Sequence, residues 1–94
     1  MTGSTRSSEG LDARRRRLLF RSWHRGIREM DLILGRFADT HIGVLGDAEL
    51  DEYERLIEMP DPDLLAWVTG ASPTPKDYDT PLFRRLCDLH LRAK

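Results

Sequence analysis

Apolar residues recur along this chain at spacings of three and four, in short segments that mostly end at a glycine or a proline. This period places them on one face of an α-helix, and no segment shows the sustained alternation typical of a half-buried β-strand. No apolar run approaches the roughly 20 residues that a membrane-spanning helix needs. The pattern therefore predicts an all-α protein without a membrane-spanning segment.

Capping signals divide these segments into five short helices, which we expect to form one compact bundle. Asp61 and Thr80 each precede a proline, and a polar cap followed by proline is typical of a helix start. Asp47 is a third N-cap candidate, because its carboxylate can accept backbone N–H groups that lack a partner. The two earlier helices are predicted from about Leu11 and from 27 to 41.

The length of 94 residues suits a single domain. Residues 1–10 are rich in serine, threonine and glycine and are expected to form a disordered tail, with the helical domain at 11–92. A domain of this size buries roughly two-thirds of its unfolded surface, which leaves little room for a catalytic pocket. We therefore expect the chain to act through its surface.

The N-terminal segment lacks the apolar region of a secretory signal. The segment 14–25 is rich in arginine, as a mitochondrial presequence would be. However, Leu18, Leu19 and Phe20 are expected in the core of so short a domain, so we predict no removable presequence. The single cysteine, Cys87, excludes an intramolecular disulfide and fits a reducing compartment.

Charge is segregated along a chain whose net charge is only −1. Residues 1–36 carry nine bases and four acids, residues 37–79 two bases and eleven acids, and residues 80–94 four bases and one acid. The run Arg14 to Arg17 could bind phosphate or RNA. The whole chain is not basic, however, and no exposed aromatics are interleaved with this run. We favour a solvated face or pairing with the acidic middle segment.

The stretch Arg25-Gly26-Ile27-Arg28-Glu29 is the most informative candidate site. Its glycine exposes backbone and lets another chain approach closely. A planar guanidinium beside a carboxylate can pair with complementary polar groups across an interface. In a helix, Arg25 and Glu29 would also lie four residues apart on one face. On the residues alone, an ordinary ion pair beside a helix break is the preferred interpretation.

No catalytic or metal-binding pattern is evident in the sequence. His24, His41 and His90 do not fall at metal-ligand spacing, and no cysteine pair is present. No nucleophile with a neighbouring base, phosphate-binding loop or dinucleotide-binding glycine pattern occurs. Cys87 and Trp67 are interpreted as core residues, although a partly exposed Trp67 would instead be a candidate hot spot for binding a partner. We therefore expect a protein that is not an enzyme and that holds no metal or cofactor stably.

Two segments together resemble the SdhE/YgfY family, whose eukaryotic members are the mitochondrial succinate dehydrogenase flavinylation factors. Residues 25–29 match the family's RGxxE signature. Residues 61–67, with the sequence DPDLLAW, are similar to its second signature and follow about thirty residues later. Leu18-Leu19 before the first signature and Phe37 after it agree in order and spacing. The resemblance covers roughly residues 13–92.

This resemblance implies a five-helix bundle that binds the flavoprotein subunit of succinate dehydrogenase, and in some bacteria that of fumarate reductase. Members promote covalent linkage of FAD to a histidine of that subunit, so FAD would belong to the partner. The contact surface would comprise Arg25, Gly26 and Glu29, with Arg28 and Asp31 as neighbours. When the protein is alone, the same surface would allow a homodimer.

No long presequence like that of the mitochondrial members is evident, which favours the bacterial cytoplasm over the mitochondrial matrix. Two other functions stay open. One is a toxin–antitoxin or regulatory role through protein or membrane contact, and the other is RNA binding through Arg14 to Arg17. RNA binding predicts an affinity that falls steeply with salt and does not depend on Glu29, whereas docking predicts a dependence on Glu29.

Overall fold

The computed structural model describes residues 10–92, which form five α-helices and no strand. The helices are α1 (Ala13–Trp23), α2 (Arg28–His41), α3 (Asp47–Ile57), α4 (Asp61–Thr69) and α5 (Pro81–Arg92). The predicted all-α fold of five helices is confirmed. None of these helices is long and apolar enough to cross a membrane. The tail predicted at 1–10 lies, apart from Gly10, outside the described residues.

Two predicted N-caps are wrong by one residue. Asp47 and Asp61 are the first residues of α3 and α4, and Gly46 and Pro60 occupy the N-cap positions. The start of α3 is tied instead by Glu49, whose carboxylate accepts the Gly46 N–H at 3.2 Å. Asp61 does not act as a cap because its carboxylate binds an arginine at the candidate site. Both aspartates still lie at the positive ends of their helix dipoles, where negative charge is favourable.

The start of α5 agrees with its prediction. The Thr80 hydroxyl accepts the Phe83 N–H at 3.2 Å, which satisfies one of the unpaired donors of the first turn. Pro81 is the first helical residue, where its missing N–H removes no helical hydrogen bond. A polar cap followed by proline therefore sets this boundary.

Helix α2 packs against α1, α4 and α5, and α5 packs against α2, α3 and α4. The apolar core takes residues from all five helices and from the connection between α2 and α3. Its largest fully buried side chains are Leu18, Met30, Leu34, Phe37, Ile42, Leu45, Leu50, Tyr53, Ile57, Leu64, Leu82 and Leu86. The assignment of Phe20 to the core is wrong, since this side chain is 63% exposed. Helix α1 turns Leu18, Leu19 and Trp23 inward, which leaves Phe20 on the outer face.

Helices α1 and α2 approach closely at Gly35. A Cβ at this position would lie 2.3 Å from an atom of the buried Trp23 ring, well inside van der Waals contact. The indole ring is fixed there, because its Nε1–H donates to the Asp39 carboxylate at 3.1 Å. A residue without a side chain is therefore needed at position 35.

A buried pair of hydroxyl groups joins α1 to α3. The Ser22 hydroxyl lies 2.7 Å from the Leu18 carbonyl oxygen, which can only accept, so Ser22 donates to it. The Tyr53 hydroxyl lies 2.5 Å from that of Ser22 and 3.3 Å from the Leu34 carbonyl of α2. Burial raises the pKa of Tyr53 well above its ordinary value, so the phenol stays a neutral donor. These contacts satisfy polar atoms that would otherwise destabilise the core.

A line of ion pairs joins the basic helix α1 to the acidic helix α3. The Arg14 guanidinium is 2.6 Å from the Asp51 carboxylate and 2.8 Å from that of Glu54. Further along α1, Arg21 pairs with Glu58. The predicted pairing of the basic N-terminal part with the acidic middle segment is confirmed. Because these pairs lie at the surface, water and salt screen them.

Arg15 is also used inside the fold. Its guanidinium donates to the carbonyl oxygens of Ile42 at 3.0 Å and Leu45 at 2.5 Å, and it pairs with Asp12 at 2.7 Å. It therefore fixes the connection after α2 against α1. Two of the four arginines in the run from 14 to 17 are thus engaged in intramolecular contacts.

Replacing Gly35 with alanine should destabilise the protein. Alanine at a helix-interior glycine would by itself gain up to about 1 kcal/mol of helix propensity. Forcing a Cβ against a fixed indole ring costs about 1–3 kcal/mol, so we expect a net loss of stability. Urea unfolding followed by circular dichroism measures it. If the ring is the cause, Trp23→Leu combined with Gly35→Ala should cost less than the sum of the single variants. Strict additivity would contradict this explanation.

The ion pair of Glu54 should make stability depend on pH. The Arg14 guanidinium holds the pKa of the Glu54 carboxyl below its ordinary value. A carboxyl with a lower pKa in the folded state stabilises it above the unfolded pKa, and this contribution is lost as pH falls through the folded pKa. Wild type should therefore lose more free energy of unfolding between pH 7 and pH 3 than Glu54→Gln does, as measured by urea titrations.

The matched control for this titration is Glu52→Gln on the same helix. Glu52 forms no hydrogen bond or ion pair with any residue from 10 to 92, so this variant should follow the wild-type pH profile. Equal losses in wild type and Glu54→Gln would show that the Arg14 pair contributes nothing to acid sensitivity.

Candidate functional site

The connection between α1 and α2 forms a tight turn, here called the Arg-Gly corner (residues 24–29). Gly26 adopts a φ of +100°, a conformation that residues with a Cβ rarely take. Apart from Gly26 itself and its two chain neighbours, no described residue has an atom within 4 Å of the place where its Cβ would be. The glycine is therefore required by backbone conformation, and the space above it is open to another molecule.

The side chain of Arg25 points into the fold. Its Nε donates to the Asp61 carboxylate at 2.8 Å, and its Nη2 donates to the Met59 carbonyl at 2.8 Å. Its Nη1 donates to the Ile57 carbonyl at the end of α3. The side chains of Arg25 and Asp61 are only 10% and 12% exposed. Arg25 thus ties the corner to the end of α3 and the start of α4.

The ion pair expected between Arg25 and Glu29 does not form. Residues 25–27 precede α2 rather than continuing a helix, so the two side chains do not share a helical face. The guanidinium is instead attracted to the free carbonyls at the negative end of α3 and to a carboxylate at the positive end of α4. A nearly buried charge needs this full set of partners.

Asp31 also points toward the fold. Its carboxylate accepts the Arg25 backbone N–H at 2.5 Å, and its side chain is half-buried. Asp31 therefore fixes the backbone of the corner from the first turn of α2. Of the five residues predicted to contact a partner, Arg25 and Asp31 are placed where they shape the surface.

The other three predicted residues, Gly26, Arg28 and Glu29, lie exposed on the corner. Neither Arg28 nor Glu29 forms a hydrogen bond or ion pair with a residue between 10 and 92. Glu29 lies in the first turn of α2, where the helix dipole favours its charge. The corner thus presents an open glycine, a free guanidinium and a free carboxylate side by side along the chain. Their contact with a partner stays a prediction.

Two aromatic residues, Phe20 in α1 and His24 at the start of the corner, were not identified as surface residues from the sequence. The Phe20 and His24 rings stack with centroids 3.9 Å apart and an interplanar angle of 14°. Helical spacing could have identified Phe20 as a surface residue, because it falls between the inward positions Leu19 and Trp23 of α1. The rings extend the exposed surface of the corner onto α1.

The remaining candidate residues, Cys87 and Trp67, pack against other parts of the fold. Cys87 is half-buried against the core, and burial raises the pKa of its thiol. Trp67, predicted in the core, is only partly buried and packs on the Tyr78 ring at 5.3 Å between centroids. From residue 10 to residue 92, no three histidine, cysteine or carboxylate side chains are grouped so that they could hold a metal ion.

Comparison with known proteins gives a consistent set of matches. Residues 16–90 match the model of a family described as flavinator of succinate dehydrogenase. A FAD assembly factor SdhE from Acetobacter pasteurianus is 40% identical over 82 residues, covering 87% of this chain and 75% of the relative. The Arg-Gly corner lies within the segment that matches the family model and within the part of the chain that the structure describes.

Mitochondrial proteins also match. A succinate dehydrogenase assembly factor 2 from Scheffersomyces stipitis is 45% identical over 78 residues, covering 82% of this chain and 48% of the relative. Assembly factor 2-B from Drosophila ananassae is 40% identical over 85 residues, covering 88% of this chain and 52% of the relative. This chain therefore spans about half the length of these mitochondrial relatives and three-quarters of the bacterial one.

Removing the charge of Asp61 should destabilise the fold, because it leaves the Arg25 guanidinium nearly buried without its anion. We expect Asp61→Asn to cost about 2–4 kcal/mol in urea unfolding. Asp63→Asn is the matched control, since Asp63 lies exposed on the same helix and its replacement should change stability by about 0.5 kcal/mol or less. Equally mild effects of both variants would show that the link through Arg25 does not stabilise the corner.

Proposed function

This chain belongs to the family described as flavinators of succinate dehydrogenase, and on that premise we propose that it is an assembly factor. It binds the flavoprotein subunit of succinate dehydrogenase and promotes the covalent attachment of FAD to that subunit. The observation that carries the proposal is the family match over residues 16–90, which includes the whole Arg-Gly corner.

The exposed part of the corner supports docking through this surface. Arg28 and Glu29 have no partners among residues 10–92, so their charges are available to a second protein. Gly26 lets the partner backbone come close, and Arg25 and Asp31 hold the turn in place from beneath. A surface that is fixed before binding loses little conformational entropy when the complex forms.

The proposed mechanism is a shift in the partner's conformation. Covalent attachment needs the partner's histidine and its flavin to meet in attack geometry. A protein that binds one domain arrangement of the flavoprotein more tightly raises the population of that arrangement. The helper then accelerates attachment without a reacting group of its own.

FAD is assigned to the partner rather than to this chain. An open groove of about 460 Å³ lies beside α1 and α3. Its lining residues are Arg21, Asp51, Glu54, Arg55 and Glu58. Three carboxylates against two guanidinium groups leave a net negative lining, so this groove disfavours the pyrophosphate of FAD.

The arginine run does not support the alternative of RNA binding. Arg14 and Arg15 are occupied by carboxylates and carbonyl groups of the fold, which leaves Arg16 and Arg17 exposed. Two adjacent charges give a weak electrostatic footprint for a nucleic acid.

The same docking surface would suit a fumarate reductase flavoprotein, or a second copy when no partner is present. On this proposal the protein acts where the flavoprotein matures, in the bacterial cytoplasm or the mitochondrial matrix.

The test is the covalent flavin content of the host's succinate dehydrogenase flavoprotein, measured by in-gel fluorescence. Cells that lack this protein should lose the fluorescence, and wild type should restore it. Glu29→Ala should restore it poorly, because losing a charged contact at an interface weakens binding by about tenfold or more. Glu52→Ala serves as the control, since it removes an acid from α3, away from the corner, and should restore the signal.

Undiminished fluorescence in the deleted strain would overturn the proposed function. Full restoration by Glu29→Ala would leave the function standing and remove Glu29 from the docking surface. Circular dichroism of the purified variants shows whether each one is folded.

A further inference from the structure

Four large apolar side chains are exposed between residues 10 and 92: Phe20, Ile27, Val44 and Leu91. Phe20 is 63% exposed and Ile27 is 36% exposed, and both adjoin or belong to the Arg-Gly corner. Val44 lies in the connection between α2 and α3, and Leu91 lies near the end of α5. Isolated exposed apolar residues are ordinary on soluble proteins, so the position of these two is what needs an explanation.

The Phe20 ring is held in place by His24. The Nδ1 nitrogen of His24 lies 2.7 Å from the Phe20 carbonyl oxygen, which can only accept, so the imidazole donates to it. This hydrogen bond lays the imidazole flat on one face of the phenyl ring. The rest of the phenyl ring stays in water. An aromatic ring that is already fixed loses little rotamer freedom when a partner covers it.

The aromatic flank, defined as Phe20, His24 and Ile27, adjoins the polar part of the corner along the chain. His24 ends α1, Gly26 leaves an open space after it, and Arg28 and Glu29 begin α2. Apolar anchors next to unpaired charged groups have the composition of a protein-binding surface, in which aromatic residues supply most of the binding energy and polar residues surround them.

We propose that the aromatic flank anchors the flavoprotein subunit, with the Phe20 ring seated in an apolar recess of that partner. The inference rests on the proposed function and extends the docking surface from the corner onto the last turns of α1. Phe20 supplies apolar area, His24 positions the ring, and Ile27 continues the apolar contact past Gly26. Arg28 and Glu29 then set the orientation through charge.

The test measures binding of the full chain to purified flavoprotein that lacks covalent FAD. Leu91→Ala is the matched control for Phe20→Ala, because both side chains are 63% exposed and lie on different helices. We expect Phe20→Ala to raise the dissociation constant by about tenfold or more, as burial of a large apolar side chain predicts. Leu91→Ala should leave the dissociation constant unchanged. Urea unfolding should show near wild-type stability for both variants.

Salt and a second variant separate an apolar anchor from a charge effect. The loss caused by Phe20→Ala should persist at high salt, because ions do not screen apolar contacts, whereas the loss caused by Glu29→Ala should shrink. His24→Ala should weaken binding less than Phe20→Ala, since it frees the ring without removing it.

Each outcome decides the inference. If Phe20→Ala binds the flavoprotein with wild-type affinity while Glu29→Ala binds it more weakly, the anchor is overturned and the proposed function stays intact. Equal losses in Phe20→Ala and Leu91→Ala would show that the effect is not specific to the flank. If Phe20→Ala only abolishes self-association in sedimentation, the occupant is a second copy and the inference fails. Absence of any binding by wild type would overturn the proposed function and the anchor together.

Discussion

The nearly buried guanidinium of Arg25 is the interaction on which the arrangement of this small bundle depends. It reaches from the Arg-Gly corner to the carbonyls at the end of α3 and to Asp61 at the start of α4. Two segments far apart in sequence, the corner and the connection between α3 and α4, are thereby fixed relative to each other. The charge is stable there because its N–H groups meet oxygen atoms, and because the carbonyls at the negative end of α3 and the Asp61 carboxylate both attract a positive charge.

The contact of Arg25 with the fold divides the RGxxE stretch into two parts with different roles. Arg25 and the neighbouring Asp31 are turned toward the fold and determine the shape of the corner. Gly26, Arg28 and Glu29 remain outside, where a partner can reach them. Loss of the arginine and loss of the glutamate would therefore impair the protein by different routes, the first through the geometry of the surface and the second through a missing contact.

The segregated charge of the chain has a structural explanation. The basic face of α1 is held against the acidic helix α3 by Arg14 and Arg21, and Arg15 secures the connection after α2. Such pairs lie at the surface and contribute modestly to stability, but they orient α1 relative to α3. That orientation places Phe20 and His24 on the outside, beside the corner.

The sequence by itself determined the five helices, since the apolar period and the glycine and proline positions act within a few residues of each boundary. Family resemblance also predicted that the Arg-Gly corner is the docking stretch. Only the tertiary structure decided that Arg25 pairs with Asp61 rather than Glu29 and that Asp61 does not act as a cap. The physical reason is distance along the chain. Burial and ion pairing depend on neighbours brought from about thirty residues away, and local spacing carries no information about them.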